Sequence, residues 1–131
     1  LNLSPRDLQR LQGVHADLVR VVQRAAQDSP MPFVVLEGLR TRERQAQLLR
    51  QGATKTMNSR HITGHAVDLA PLNDLDGDGD LDISWRWPHY FELAKHIKAA
   101  AMLEGIEIEW GGDWREFKDG PHWQLTRRSY P

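Results

Sequence analysis

The chain has 131 residues, a formal net charge of -1 and a pI of about 6.7, a balance that points to neither nucleic acid nor an anionic membrane as partner. It has no cysteine, which excludes disulfides and any thiolate-held metal and leaves the redox compartment open. No window is apolar over the roughly 18 residues that a membrane span needs, no signal peptide is visible, and the first residue is Leu1, not Met.

The expected organisation is one domain over residues 1–131, long enough for a core of its own. Ser4-Pro5-Arg6-Asp7 opens a helix: Ser4 caps it, Pro5 suits its first position, and Asp7 meets the positive end of the macrodipole. Leu8, Leu11, Leu18, Val22 and Ala25 recur at helical steps, so the spacing predicts one amphipathic helix to about Gln27, broken by Asp28-Ser29-Pro30-Met31-Pro32. Phe33 to Glu37 is a β-branched run that reads as a buried strand. Thr41 caps a second helix, Arg42 to Arg50, with Ala46 and Leu49 inward and Gln51-Gly52 at its end. Residues 53–60 are an unpatterned loop. Ala66 to Ala70 reads as a strand that Pro71 stops.

An aspartate-rich loop follows at 73–82, insertion-like in composition. Trp87-Pro88 precedes a third helix, Tyr90 to Leu103, with Phe91, Ala94, Ile97 and Ala101 on its apolar face and Gly105 closing it. Ile106 to Trp110 and His122 to Leu125 alternate and read as strands, with a turn at Gly111-Gly112-Asp113-Trp114. The sum is a small α+β domain in which three helices pack on a short antiparallel sheet.

The chemistry centres on Ser59-Arg60-His61-Ile62-Thr63-Gly64-His65-Ala66-Val67-Asp68-Leu69. His61 lies seven residues before Asp68, and Asp68 lies in an apolar run, where an unpaired carboxylate is costly. A second cluster, Asp119-Gly120-Pro121-His122-Trp123, comes late in the chain. If the two meet, His61, Asp68 and His122 offer the three ligands of a zinc site with one open position. Asp119, three residues before His122 across Gly120-Pro121, would stand beside the metal as the base. From spacing alone, such a site and an ordinary set of satisfied side chains are equal readings. His65 is a rival ligand, but Gly64 and the missing Glu after His61 argue against a helical His-x3-His motif. His15, His89 and His96 read as surface or packing residues.

Asp74, Asp76, Asp78, Asp80 and Asp82, with Gly79 in the sixth position, match the first half of an EF-hand loop. The twelfth position is Trp85, so the bidentate Glu is missing. Two readings stand: a solvated acidic turn, or a structural or regulatory calcium site that relieves the repulsion of these carboxylates.

Ser59-x-His61-x2-Gly64-x-Ala66-x-Asp68, followed by Asp119-x2-His122, resembles the zinc peptidases that include D-alanyl-D-alanine carboxypeptidases and dipeptidases. Trp110-Gly111-Gly112-Asp113-Trp114, Phe117 and Asp119-Gly120-Pro121-His122-Trp123 are similar to the branch of bacteriophage L-alanyl-D-glutamate endopeptidases, the endolysins. The resemblance runs from the first helix to Leu125. It implies a Hedgehog/D-Ala-D-Ala peptidase-like fold, zinc on His61, Asp68 and His122, and Asp119 as the acidic catalytic residue. It also matches Arg40, in Gly38-Leu39-Arg40-Thr41, to the family's arginine after the first strand. A guanidinium there would hold the polarised peptide oxygen or a substrate carboxylate; a surface salt bridge is the other reading. Ser59, His65 and Trp114 are candidates for substrate contact, Ser59 equally as a turn former. Trp110 and Trp123 line the cleft or serve the core.

The implied function is hydrolysis of the peptidoglycan stem peptide at the L-alanyl-D-glutamate bond, for lysis of a phage-infected host. The expected agent is a monomer without a separate wall-binding domain, made in the host cytoplasm and let through to the wall by a separate membrane-permeabilising protein. A D-alanyl-D-alanine carboxypeptidase or dipeptidase is one alternative. An inactive cell-wall-binding module is another, since the same fold serves the signalling domain of Hedgehog-type proteins.

Overall fold

The computed structural model describes residues 3–131. Its elements are α1 (Pro5–Arg10), α2 (Ala16–Asp28), β1 (Phe33–Glu37), α3 (Arg42–Arg50), β2 (Ala66–Asn73), β3 (Asp82–Ile83), α4 (Trp87–Glu104), β4 (Ile108–Trp110) and β5 (His122–Leu125), with a 3-10 turn at Gly111–Asp113. The class is α+β as expected, with one more helix and one more strand.

The additional helix comes from a break in the first one. Ser4 and Asp7 form a capping box at the start of α1, their side chains accepting each other's amides at 3.1 and 3.0 Å. The second Asp7 oxygen accepts the Val35 amide at 2.8 Å, so the cap also fastens α1 to β1. The chain then turns at Gly13, whose φ is +82°, and a Cβ there would meet Leu39 Cδ2 at 2.7 Å. His15 restarts the helix as N-cap, its Nδ1 accepting the Asp17 amide at 3.0 Å. The apolar spacing runs through the break because Leu11 and Leu18 reach the same core.

The sheet order is β1-β2-β5-β4, all antiparallel, with β3 paired to β2 beside it. Strand alternation divides its residues between two faces. Val35, Val67, Leu69, Trp123 and Leu125 form the core face, which α4 covers, and α2 packs on α4 in the same core. Trp110 and Trp123 stack there, centroids 5.6 Å apart, so these two tryptophans serve the core. The opposite face carries a polar row across three strands, in which Glu37 pairs with Asp68 and Asp68 with His122, and beside it the Gln124–Glu109 pair of β5 and β4.

Three other expectations are corrected. In α3 the fully buried residue is Gln45, while Leu49 is exposed. In α4 the apolar face is set by Tyr90, Leu93, Ala94, Ile97, Ala100 and Ala101, and Phe91 points outward onto the edge of Trp110. Pro71 lies inside β2 instead of ending it. The Leu72 amide donates to Pro32 on the β1 side, so the Pro71 nitrogen faces the other side, where β5 has left and β3 has only begun. No helix of the described residues is long and apolar enough to cross a membrane.

Candidate functional site

The two polar clusters meet on the open face of the sheet. Donor atoms of His61, Asp68 and His122 all lie within 4.8 Å of one another. Asp68 Oδ1 is 3.2 Å from His61 Nε2 and 3.6 Å from His122 Nδ1. Asp68 and His122 come from facing positions of β2 and β5. His61 reaches them from a turn closed by Gly64 at φ +79°, where a Cβ would collide with the Gly13 carbonyl oxygen.

The remaining imidazole nitrogens are committed elsewhere, and this sets the tautomers. His61 Nδ1 donates to the Gly38 carbonyl at 2.9 Å. His122 Nε2 donates to Gln124 Oε1 at 2.7 Å, because the Gln124 amide nitrogen itself donates to Glu109 at 2.7 Å. In the neutral rings, the form that binds a metal, the lone pairs on His61 Nε2 and His122 Nδ1 are thereby turned toward Asp68, and only a protonated ring donates to it.

The charges of this cluster favour a cation at its centre. Burial works against the Asp68 carboxylate, but hydrogen bonds from His122 and His61 outweigh it and hold the group far below the usual carboxylate range. Burial likewise pushes His122 down, and Asp68 overcomes this and raises it. Asp68 and His122 thus favour each other's charged forms, and a metal ion at the centre would bring positive charge to the same place. Two imidazoles and a carboxylate are a fitting donor set for a divalent transition metal.

Asp119 shares a cleft of about 420 Å³ with these three residues and stands outside the ligand triad. Its amide donates to Gly111 at 3.0 Å and its carbonyl accepts from the His122 amide at 3.2 Å. Trp110 Nε1 fixes the same turn through the Gly120 carbonyl at 2.7 Å. Burial, and then the charge of Asp68, raises the Asp119 pKa above the ordinary carboxylate value.

Arg40 lies in the cleft wall, tied on several sides. Its Nε and Nη2 donate to the two Glu37 oxygens at 2.9 Å each, and Nη1 donates to Gln45 at 2.8 Å. Nη2 is also 3.5 Å from Asp68 Oδ2. Gln45 donates in turn to the Thr56 carbonyl at 2.6 Å, joining this network to the loop that forms one wall. Ser59 and Trp114 line the cleft as well, Trp114 with its ring 5.0 Å from that of His122. His65 is not among the lining residues or the ligand cluster; it packs on His15, centroids 5.5 Å apart, and bonds Thr63 at 2.7 Å.

The aspartate loop is the tip of the β2–β3 hairpin and has no flanking helices. Asp74, Asp76, Asp78 and Asp82 bring carboxylate oxygens within 4.8 Å of one another, and Asp80 stands outside that group. Asp74 also accepts the amides of Gly77 and Gly79, both at 2.9 Å.

Sequence reasoning missed Glu37, Gln45, Glu109 and Gln124. Gln124 was findable, since it lies two residues from His122 on one strand and must share its face. Gln45 left no signal, because a polar residue in a short polar helix reads as solvated.

A family model described as phage L-alanyl-D-glutamate peptidase matches residues 1–126. The chain is 31% identical over 105 residues to the L-alanyl-D-glutamate peptidase of Listeria phage A118, covering 80% of this chain but 34% of that protein, so it spans about a third of that relative's length. It is 32% identical over 125 residues to the L-alanyl-D-glutamate peptidase of Escherichia phage T5, covering 92% of this chain and 86% of the other. Among solved structures it is similar to the L-Ala D-Glu endopeptidase ChiX of Serratia marcescens, with a TM-score of 0.88 and 44% identity, over 100% of this chain and 94% of that one.

Proposed function

The chain belongs to the phage L-alanyl-D-glutamate peptidase family, and from that premise we propose that it is a zinc peptidase cutting the L-alanyl-D-glutamate bond of the peptidoglycan stem peptide. The observation that supports this most is the His61–Asp68–His122 cluster sharing one cleft with a fourth, uncoordinated acid, Asp119. In this reading His61 Nε2, one Asp68 oxygen and His122 Nδ1 would hold the ion. When bound there, zinc would supply Lewis acidity for the scissile carbonyl and for the attacking water.

Asp119 takes the proton of the attacking water and hands it to the departing amine. Its raised pKa makes it a better acceptor than an exposed carboxylate and a competent donor afterwards. Arg40, beside Asp68, steadies the negative oxygen that develops. Ser59 and Trp114 position the peptide along the walls. His65 is left a structural part in holding the ligand turn.

The acting form in this reading is a monomer. In a phage setting the product is lysis, with the enzyme made in the host cytoplasm and reaching the wall through a separate membrane-permeabilising protein. The aspartate hairpin is read as a calcium site using Asp74, Asp76, Asp78 and Asp82, with Asp80 outside the first set of ligands. Calorimetric titration with calcium, against magnesium as control, tests that part, and absence of heat removes it.

The enzymatic reading is tested by digesting purified peptidoglycan with the zinc-loaded protein and labelling new amino termini before mass spectrometry. New amino groups on D-glutamate, abolished by a chelator, are expected. The Asp119→Ala protein should retain zinc and lose about 10²–10⁴-fold in turnover. Released D-alanine would instead make it a carboxypeptidase, and no product with zinc bound would leave the inactive wall-binding module.

A further inference from the structure

The proposed substrate brings its own charge into the cleft. In an L-alanyl-D-glutamate bond the glutamate nitrogen is acylated, and at most one of its two carboxyl groups continues the chain. Unless it is capped as an amide, a free carboxylate therefore stands a few bonds from the amide to be cut.

Three arginines line the cleft: Arg40, Arg60 and Arg127. Arg40 already faces two carboxylates, Glu37 and Asp68. The other two have no such partner: no carboxylate of the described residues lies within 4.0 Å of either guanidinium. Arg60 is only 6% exposed. Its Nη2 donates to the carbonyls of Leu125 at 3.1 Å and Tyr130 at 2.6 Å, both neutral acceptors, and its Nε is buried with no partner. Arg127 stands at the exposed rim, with Nη2 3.4 Å from the Asn58 carbonyl.

A buried guanidinium with no carboxylate in contact is costly, and a second cation beside it adds to the cost; the Glu109 charge that offsets it acts from a distance and is tied to Gln124. Such a pair in a substrate cleft is completed by an anion, and planar guanidinium forks suit a carboxylate.

We propose that Arg60 and Arg127 form a carboxylate subsite that receives the free carboxylate of the substrate's D-glutamate residue. The choice of ligand rests on the stem-peptide reading above. Arg60, next to the ligand His61, fixes the inner edge of the subsite, and Arg127 closes it from the rim. The bond to be cut is thus placed by a charge on the leaving side as well as by the metal ligands.

The test measures binding apart from turnover. Two synthetic peptides are compared, an L-alanyl-D-glutamyl peptide with its free carboxylate and the same peptide with that carboxylate amidated. Each is titrated by calorimetry into zinc-loaded Asp119→Ala protein, with and without Arg127→Gln. The carboxylate peptide is expected to bind roughly tenfold more tightly than the amide, and Arg127→Gln should bring that ratio close to one. Arg60→Lys, which keeps the charge and loses the fork, should reduce the ratio partly. Equal affinities for the two peptides, or a ratio that Arg127→Gln leaves unchanged, would overturn the proposal. If the ratio behaves as expected but the parent enzyme cuts neither peptide, the subsite stands and the peptidase reading fails.

Discussion

Glu109, Gln124 and His122 form a relay that decides which imidazole nitrogen faces the cleft. Without Gln124, His122 would be free to rotate or change tautomer, and its Nε2 would lose a buried acceptor. Gln124→Ala should therefore weaken metal affinity about 10–100-fold, measured by competition with a chromogenic chelator, while the fold persists. The clustered residues His61, Asp68 and His122 were legible as a group because their chemistry is unusual: an aspartate within an apolar strand, and a histidine next to an acid in a tight turn. Their supporting residues were less so. Arg60 looked like one more loop cation, and only the structure shows it buried with neutral carbonyls as its bonded partners. Arg40 was singled out, but its ties to Glu37 and Gln45 depend on where β1 ends and α3 begins.

Two glycines join the first helical segment to the ligand turn. Gly13 and Gly64 both have positive φ, a Cβ on Gly64 would strike the Gly13 carbonyl, and the His15 amide donates to the Gly64 carbonyl at 2.8 Å. Gly64→Ala should cost about 2–3 kcal/mol of stability from backbone strain and collision together. It should also weaken metal binding, since His61 hangs from the same turn; denaturant unfolding and chelator competition on one preparation would read both. The strands β1 and β5 and the helix α3 were legible to the residue, having clear punctuation at each end. The break between α1 and α2 was not. Apolar spacing continues across it, and a lone glycine in a helical pattern does not reveal a positive φ. Pro71 misled for a related reason: whether a proline ends a strand depends on which side its missing N–H faces.

Across the whole molecule, the last residues are clasped to the first layer. Tyr130 donates its hydroxyl to Asp17 at 2.6 Å, and its carbonyl accepts from Arg60. The Tyr130 hydrogen bond, reinforced by Arg20, holds the Asp17 carboxyl below its usual value of 3.8. A depressed carboxylate contributes stability that is fully present above the unfolded value and is lost as pH falls through the folded one. Asp17→Asn should lower the melting temperature at neutral pH, and the two proteins should converge in acid; calorimetric scans from about pH 7 to pH 2 would show this. The overall class was legible because helices and strands alternate with distinct periods. The clasp was not, since it joins residues 113 positions apart.

Asp68 and His122 oppose each other on one rung of the β2–β5 ladder, with Val67 and Trp123 on the next. A slip that turned β5 over by one residue would send His122 into the core and Trp123 into the cleft. The donor set can be assembled in one alignment only, so capture of an ion there would also proofread strand pairing. A chelator present during refolding would take away that check, and misaligned chains would no longer be distinguished from correct ones by what they bind.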